Sequence, residues 1–166
     1  VPESRKMDTQ ANIHIRLADA DDDEFILGLV PRFVEGFNLP PWRRRGECAE
    51  HVRVDLARHL SEQPPGSHVF VAENDDGERV GFIHLQTMKD FFSNAQNCHI
   101  SDLAVDRKHD GEGIGSALLA YAERWAREHR FRHLQLAVFE GNQRARELYE
   151  RSGFGVELLR MVKPLP

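Results

Sequence analysis

The stretch Val105-Asp-Arg-Lys-His-Asp110-Gly111-Glu-Gly113-Ile-Gly115-Ser116 decides the fold. Before it, Cys98–Val105 has the composition of a strand. After it, Leu118, Leu119, Ala122, Trp125 and Ala126 share one helical face. A strand therefore leads into glycines, and the glycines open a helix. That order suits an anion, because glycines let the backbone approach closely and unpaired N–H groups at a helix start point outward. Two common phosphate loops do not match. A Walker A loop needs a lysine after its last glycine, and Ser116 follows Gly115 instead. A dinucleotide loop needs G-x-G-x-x-G tight against its strand, whereas this chain has G-x-G-x-G beginning six positions after Val105.

Working outward, Ile13–Leu17 alternates and predicts a first strand. Asp21 and Glu24 form a capping-box-like helix start. Phe25, Leu29, Phe33 and Phe37 then recur every fourth residue as one apolar face, which Pro31 interrupts and whose far end could line a pocket. Asn38–Gly46 is a loop and Glu47–Leu60 a second helix, with Val52, Leu56 and Leu60 on one side. His68–Glu73 and Arg79–Thr87 flank Asn-Asp-Asp-Gly-Glu and predict a hairpin. Arg132–Phe139 is a strand, Asn142–Ser152 a short helix capped by Asn142, and Gly155–Pro166 a last strand-like segment. The order β-α-α-β-β-β-α-β-α-β implies an α/β (α+β) fold on a mixed sheet.

A chain of 166 residues suits one domain spanning 1–166 and is long enough to bury a core. Met7 is a candidate start, and 1–11 is expected to be a flexible N-terminus. Apolar residues make up 40% and charged residues 30%, which describes a folded chain with a charged surface. The net charge of -5 argues against non-specific nucleic-acid binding, and no apolar run is long enough to predict a membrane span. Two cysteines, Cys48 and Cys98, are too few for a disulfide framework or a cysteine-based zinc site, so a reducing cytoplasm is expected. No metal site is expected. His129 and His133 are four apart, but one ends a helix and the other begins a strand.

Taken together, His99-Ile-Ser-Asp-Leu-Ala-Val105, the glycine loop, Val138-Phe-Glu-Gly-Asn142, Ala145, Leu148-Tyr149 and Gly153-Phe154 resemble the GCN5-related N-acetyltransferase (GNAT) superfamily. The resemblance runs from about Ile13 to the end of the chain. It implies a mostly antiparallel central sheet flanked by helices. It also implies acetyl-CoA as acyl donor and an amine, on a small molecule or a peptide, as acceptor. The fourth strand would splay from the fifth, offering the backbone of Leu103, Ala104 and Val105 to the pantetheine arm. Lys108, Asp110, Gly111, Gly113, Ile114, Gly115 and Ser116 would form the pyrophosphate loop, and Asn142 would complete the coenzyme contacts. One position departs from the pattern: the family usually begins this loop with Gln or Arg, and Asp110 stands there. An anion beside a pyrophosphate is unfavourable if it faces it. The expectation is that Asp110 turns away or caps the loop, with Arg107 or Lys108 supplying positive charge.

Acyl transfer to an amine needs a held thioester, a neutral amine, a stabilised oxyanion and a protonated leaving thiolate. The resemblance implies Tyr149 as the acid, seven residues after Asn142 and able to face the same groove. For the base, some family members carry a glutamate at the position of His99 and others an acid at Ser101. Histidine titrates near neutrality and could accept the proton directly or through water, and water alone is the other option. Strict alternation puts His99 with Ser101, Leu103 and Val105, and Asp102 on the opposite face, where it would orient a neighbour or cap a bulge. His84 and Glu73 are weaker candidates. Arg43–Arg45, Arg144 and Arg146 suit solvated positions, and Phe91-Phe92 could flank the acceptor cleft or pack under a loop. Two alternatives stay open, a coenzyme-binding sensor of the same fold without turnover and an unrelated nucleotide-binding domain. A homodimer and the identity of the acceptor also stay open.

Overall fold

Alternating apolar residues in the middle of the chain build the sheet on which everything else rests. The computed structural model describes residues 12–166, so the expected flexible N-terminus, Met7 included, lies outside the described residues. The elements are β1 (His14–Leu17), α1 (Asp23–Gly28), α2 (Arg45–Glu62), β2 (Ser67–Glu73), β3 (Arg79–Lys89), β4 (Gln96–Val105), α3 (Ile114–Glu128), β5 (Leu134–Leu136) and α4 (Gln143–Arg151), with single 3-10 turns at Ala20–Asp22, Val30–Phe33 and Arg107–His109. The sheet order is β1-β2-β3-β4-β5. The first three pairings are antiparallel and β4–β5 is parallel, so the sheet is mixed and mostly antiparallel as expected.

Each face of the sheet buries its own cluster. On one face α3 places Ile114, Leu118, Leu119 and Ala122 on Phe70, Ile83, Leu85, Cys98 and Ile100. On the other, α1 and α2 place Ile26, Leu29 and Leu56 on Val71, Phe82 and Ala104. Two-sided burial explains the unbroken buried runs Phe70–Ala72 in β2 and Val80–Leu85 in β3, apolar but for His84.

A buried ion cluster pins the start of the chain to the hairpin. The fully buried Asp22 carboxylate accepts from Arg16 at 2.7 and 2.9 Å and from Arg79 Nε at 2.6 Å, while Arg16 also reaches Glu73 at 2.6 Å.

Four expectations need correction. The capping box is Asp19 with Asp22, two residues earlier than the Asp21–Glu24 pair. The phenylalanine stripe does not form one helix: α1 stops at Gly28 and Pro31 sits in a 3-10 turn. Loss of the 3.6-residue period there buries Ile26, Leu29, Val30 and Val34 instead, and carries Phe37 away to Phe139, with ring centroids 6.0 Å apart. Gly155–Pro166 is not a strand, and Val156, Leu158, Leu159, Met161 and Leu165 lie exposed. Apolar content alone does not make a strand without a partner edge, and Pro164 and Pro166 withhold ladder donors.

The fourth correction matters most for the site. His84 pairs with Asp102 but Leu85 pairs with Ile100, so Ser101 is the extra residue of a β-bulge. The bulge resets the alternation. Cys98, Ile100, Leu103 and Val105 lie on the α3 face, while Ala104 packs with the α1–α2 cluster. His99 and Asp102 therefore share the α1–α2 face, contrary to the strict alternation expected from sequence.

Candidate active site

The parallel pairing of β5 with β4 covers only Cys98, His99 and Ile100. Beyond Ile100 the two strands part, leaving one edge of Ser101–Val105 without a strand. The Asp106 N–H donates to Val80 O at 2.8 Å, so alternation turns the amides of Ala104 toward β3 and those of Leu103 and Val105 toward the opening. This is the splay expected from the resemblance. The Val105 carbonyl already accepts from Arg32 Nε at 3.1 Å, which leaves the rest of the edge to meet an extended amide-containing ligand.

The loop that follows ends on Gly113, whose φ of 78° is a conformation that favours glycine and which stands at the N-cap of α3. No side chain caps α3 and its first turn holds no acid, so the amides of Ile114, Gly115 and Ser116 and the positive end of the helix dipole face outward. Leu148 packs against Gly115 and brings α4 alongside. Asn142 caps α4 through Ala145 N at 3.3 Å, as its position predicts. Tyr149, two turns on, packs against the α3-face cluster, its ring centroid 5.9 Å from that of Phe154. Burial pushes the Tyr149 phenol up from its ordinary value, which keeps it protonated as an acid must be.

Asp110 does not turn to solvent, nor does it cap the loop. Its carboxylate accepts from Arg32 Nη2 at 2.7 and 3.0 Å and from Arg144 Nη1 at 3.3 Å. Arg107 does not serve as its partner, because its guanidinium pairs with Glu35 at 2.5 Å. Lys108 contributes a backbone N–H to Asp106 at 3.1 Å. The charge problem at the start of the loop is thus solved from two distant elements, the 3-10 turn at Val30–Phe33 and α4. Arg144 stays mostly solvated, as expected, while touching Asp110, and Arg146 donates to the Glu140 carbonyl at 3.1 Å. Removing Arg32 leaves Asp110 with the weaker partner only. Arg32→Ala is expected to weaken coenzyme A binding about tenfold by calorimetry, and Asp110→Asn added to it to recover most of the loss.

Residues 36–38 lie over the start of α4. The Asn38 carbonyl comes so close to Gly141 that an added Cβ would stand 2.5 Å from it. Between them is a cavity of about 570 Å³ lined by Phe37, Asn38, Asn142, Arg144 and Glu147. The far end of the phenylalanine stripe does line a pocket.

On the α1–α2 face, His99 lies opposite Gln135, whose Nε2 is 3.4 Å from His99 Nδ1. Burial lowers the His99 imidazole below its ordinary value, with Asp102 pulling the other way, so the ring is neutral and able to accept a proton near pH 7. Asp102 bonds His84 Nδ1 at 2.8 Å. Glu73 is engaged by Arg16 on β2, which takes it out of consideration as a base. Burial pushes the Cys98 thiol up to about 11, as suits a packed residue. His129 stacks on Trp125, and among the described residues no group of three His, Cys, Asp or Glu side chains could hold a metal ion. Phe91 and Phe92 are exposed and meet edge to face beyond β3.

An open β4 edge and an uncapped helix start beside it form a groove suited to an extended ligand with an anionic end. The sequence model of the Acetyltransferase (GNAT) family matches residues 34–154, and the chain belongs to that family. An uncharacterized N-acetyltransferase of Archaeoglobus fulgidus is 32% identical over 139 residues, 82% of this chain and 89% of its own. Streptothricin acetyltransferase of Streptomyces lavendulae is 36% identical over 88 residues, 53% of this chain and 44% of its own, so this chain spans under half of that enzyme's length. A solved protein of Pyrococcus furiosus named as an acetyl transferase superposes with a TM-score of 0.73 at 29% identity, covering 93% of this chain and 100% of that one. Among the described residues no helix is long and apolar enough to cross a membrane.

Proposed function

We propose that this protein transfers an acetyl group from acetyl-CoA to the amine of a small molecule by direct attack within a ternary complex. The observation that carries this reading is the splay beyond Ile100, with the uncapped start of α3 beside it. The open edge at Leu103 and Val105 suits the pantetheine amides, and the amides of Ile114, Gly115 and Ser116 suit the pyrophosphate. Asn142 keeps its amide N–H groups for the coenzyme while its carbonyl caps α4.

Tyr149 belongs to the α3-face cluster and His99 to the α1–α2 face, and the reading gives the two residues different proton transfers. The amine nitrogen attacks the thioester carbonyl, a free backbone N–H of the β4 edge holds the oxyanion, and the C–N bond forms as the C–S bond breaks. His99 takes the amine proton and Tyr149 gives its proton to the thiolate. The streptothricin relative supports a small-molecule acceptor. Pairing of Asp110 with Arg32 and Arg144 weakens one ground for a binding module without turnover, since the loop no longer presents an uncompensated anion, while the lack of an acidic base at His99 and Ser101 is the other.

The neutral His99 sets the pH dependence. Its value lies below the ordinary imidazole range, so kcat/KM is expected to fall as pH drops through that lowered value and to be level above it. His99→Gln should abolish this acid limb and lower kcat/KM by roughly 10²-fold. An unchanged acid limb in the variant would assign the proton to water.

A further inference from the structure

The bulge in β4 is the end of a buried hydrogen-bonded chain that links four elements, β4, β3, β2 and α2. Asp102 Oδ2 is 2.8 Å from His84 Nδ1, His84 Nε2 is 2.8 Å from Ser67 Oγ, and Ser67 Oγ is 2.8 Å from His59 Nδ1. Arg58 Nη2 lies 3.2 Å from His59 Nε2 and closes the chain on α2. His84 is fully buried and His59 nearly so.

The direction of every bond follows from the two ends. An ionised Asp102 can only accept, so His84 carries its proton on Nδ1 and offers a lone pair at Nε2. Ser67 must then donate to His84 and accept from His59 Nδ1–H. That leaves a lone pair on His59 Nε2, which faces Arg58, a residue that can only donate. Both histidines are neutral in this arrangement. Burial lowers His59 below its ordinary value, with the nearby His84 adding to the effect, in keeping with that state.

Asp102, His84 and Ser67 have the order of a nucleophile triad. The Ser67 hydroxyl, however, is held between two imidazoles whose centroids are 4.7 Å apart, so its oxygen is occupied on both sides. The chain is better suited to fixing a charge than to making a nucleophile.

We propose that His84, Ser67 and His59 are positioning residues that hold the Asp102 carboxylate aimed along the α1–α2 face, where its charge supports the imidazolium formed when His99 takes the acceptor's proton. This deepens the acyl-transfer reading and rests on it. The bulge at Ser101 is what brings His99 and Asp102 to one face. The titratable groups packed against His84 are His59 from α2, whose ring centroid is 4.7 Å away, and Asp102 from β4, with Asp55 and Arg58 of α2 reached only through His59 and His68 of β2 turned to the opposite face against Trp125. Those facing His99 are Asp102 and His84.

The test is the His99 titration midpoint, read by NMR in the full chain without coenzyme, together with the acid limb of kcat/KM. Asp102→Asn removes the charge directly and is expected to lower the midpoint by about 0.5–1 pH unit. His84→Leu should lower it in the same direction and reduce kcat about tenfold, with the KM for acetyl-CoA within about twofold. His84→Asn, whose side-chain N–H can replace Nδ1–H, should restore most of the midpoint. If His84→Leu does not fold, Ser67→Ala decides, with a smaller shift of the same sign expected. A His99 midpoint that moves in Asp102→Asn but stays at the wild-type value in His84→Leu, or in Ser67→Ala where that decides, would overturn the proposal. A wild-type protein that acetylates no amine would instead overturn the acyl-transfer reading, while the NMR midpoints still report the coupling.

Discussion

Tyr149→Phe is expected to lower kcat by roughly 10²-fold or more while coenzyme affinity stays within about twofold. The ring packs against the α3-face cluster and Phe154, and phenylalanine keeps that packing, so the fold and the coenzyme groove should survive. What is lost is one O–H. Burial raises the phenol's value, which keeps the acid form filled across neutral pH, and a thiolate leaving group then has a proton source. The substitution therefore separates two roles that a packed tyrosine and an acid would share. Steady-state kinetics beside calorimetric binding of coenzyme A reads both. Equal losses in turnover and affinity would make Tyr149 a packing residue, and unchanged turnover would leave the thiolate to be protonated by water.

The second large effect lies far from the opening. Asp22→Ala is expected to cost about 3–5 kcal/mol, because it leaves the Arg16 and Arg79 guanidinium groups facing a buried gap, with only Arg16 keeping a second carboxylate, Glu73. For a chain of this length that is a fall in Tm of roughly 6–20 °C. The same cluster sets an acid limit on stability. Burial by itself would push the Asp22 carboxyl up, but hydrogen bonds from Arg16, the Asp19 backbone and Arg79 outweigh it and hold the group well below the usual carboxylate range. A depressed folded value contributes stability that is fully present above the unfolded value of about 3.9 and lost as pH falls toward the folded one. Thermal denaturation between pH 7 and pH 3 should show wild type losing stability at the acid end and Asp22→Ala losing less, because the variant has no such carboxylate to protonate.

The parts of this structure that a sequence could announce are those set by neighbours in the chain. The run from β4 through Gly113 into α3 declares itself because alternation, glycine and helical periodicity follow one another within thirty residues. Asn142 as a helix cap and the hairpin at Asn74–Glu78 are equally local. What stayed hidden depends on distance or on a single inserted residue. Arg32 finds Asp110 from 78 positions away, and nothing near either residue marks the pair. The Ser101 bulge moves His99 and Asp102 onto one face, a change that no alternation pattern contains because an extra residue leaves composition untouched. His59, Ser67 and His84 are ordinary polar residues in sequence and become a chain only when α2 packs across the sheet. The last segment went wrong for the opposite reason. Its apolar residues look like a strand, but strand formation needs a partner edge that local sequence does not supply.

The reading as an acetyltransferase stands or falls on transfer itself. Purified protein incubated with acetyl-CoA and a panel of primary amines, aminoglycoside-like and amino-acid-like among them, should release coenzyme thiol in step with an acetylated amine found by mass spectrometry. One amine acetylated at a rate that Tyr149→Phe and His99→Gln both lower would support the roles assigned to the opening between β4 and β5. Tight coenzyme A binding with no thiol release above background for any amine would contradict it, and would make this member of the family a coenzyme-binding protein rather than an enzyme.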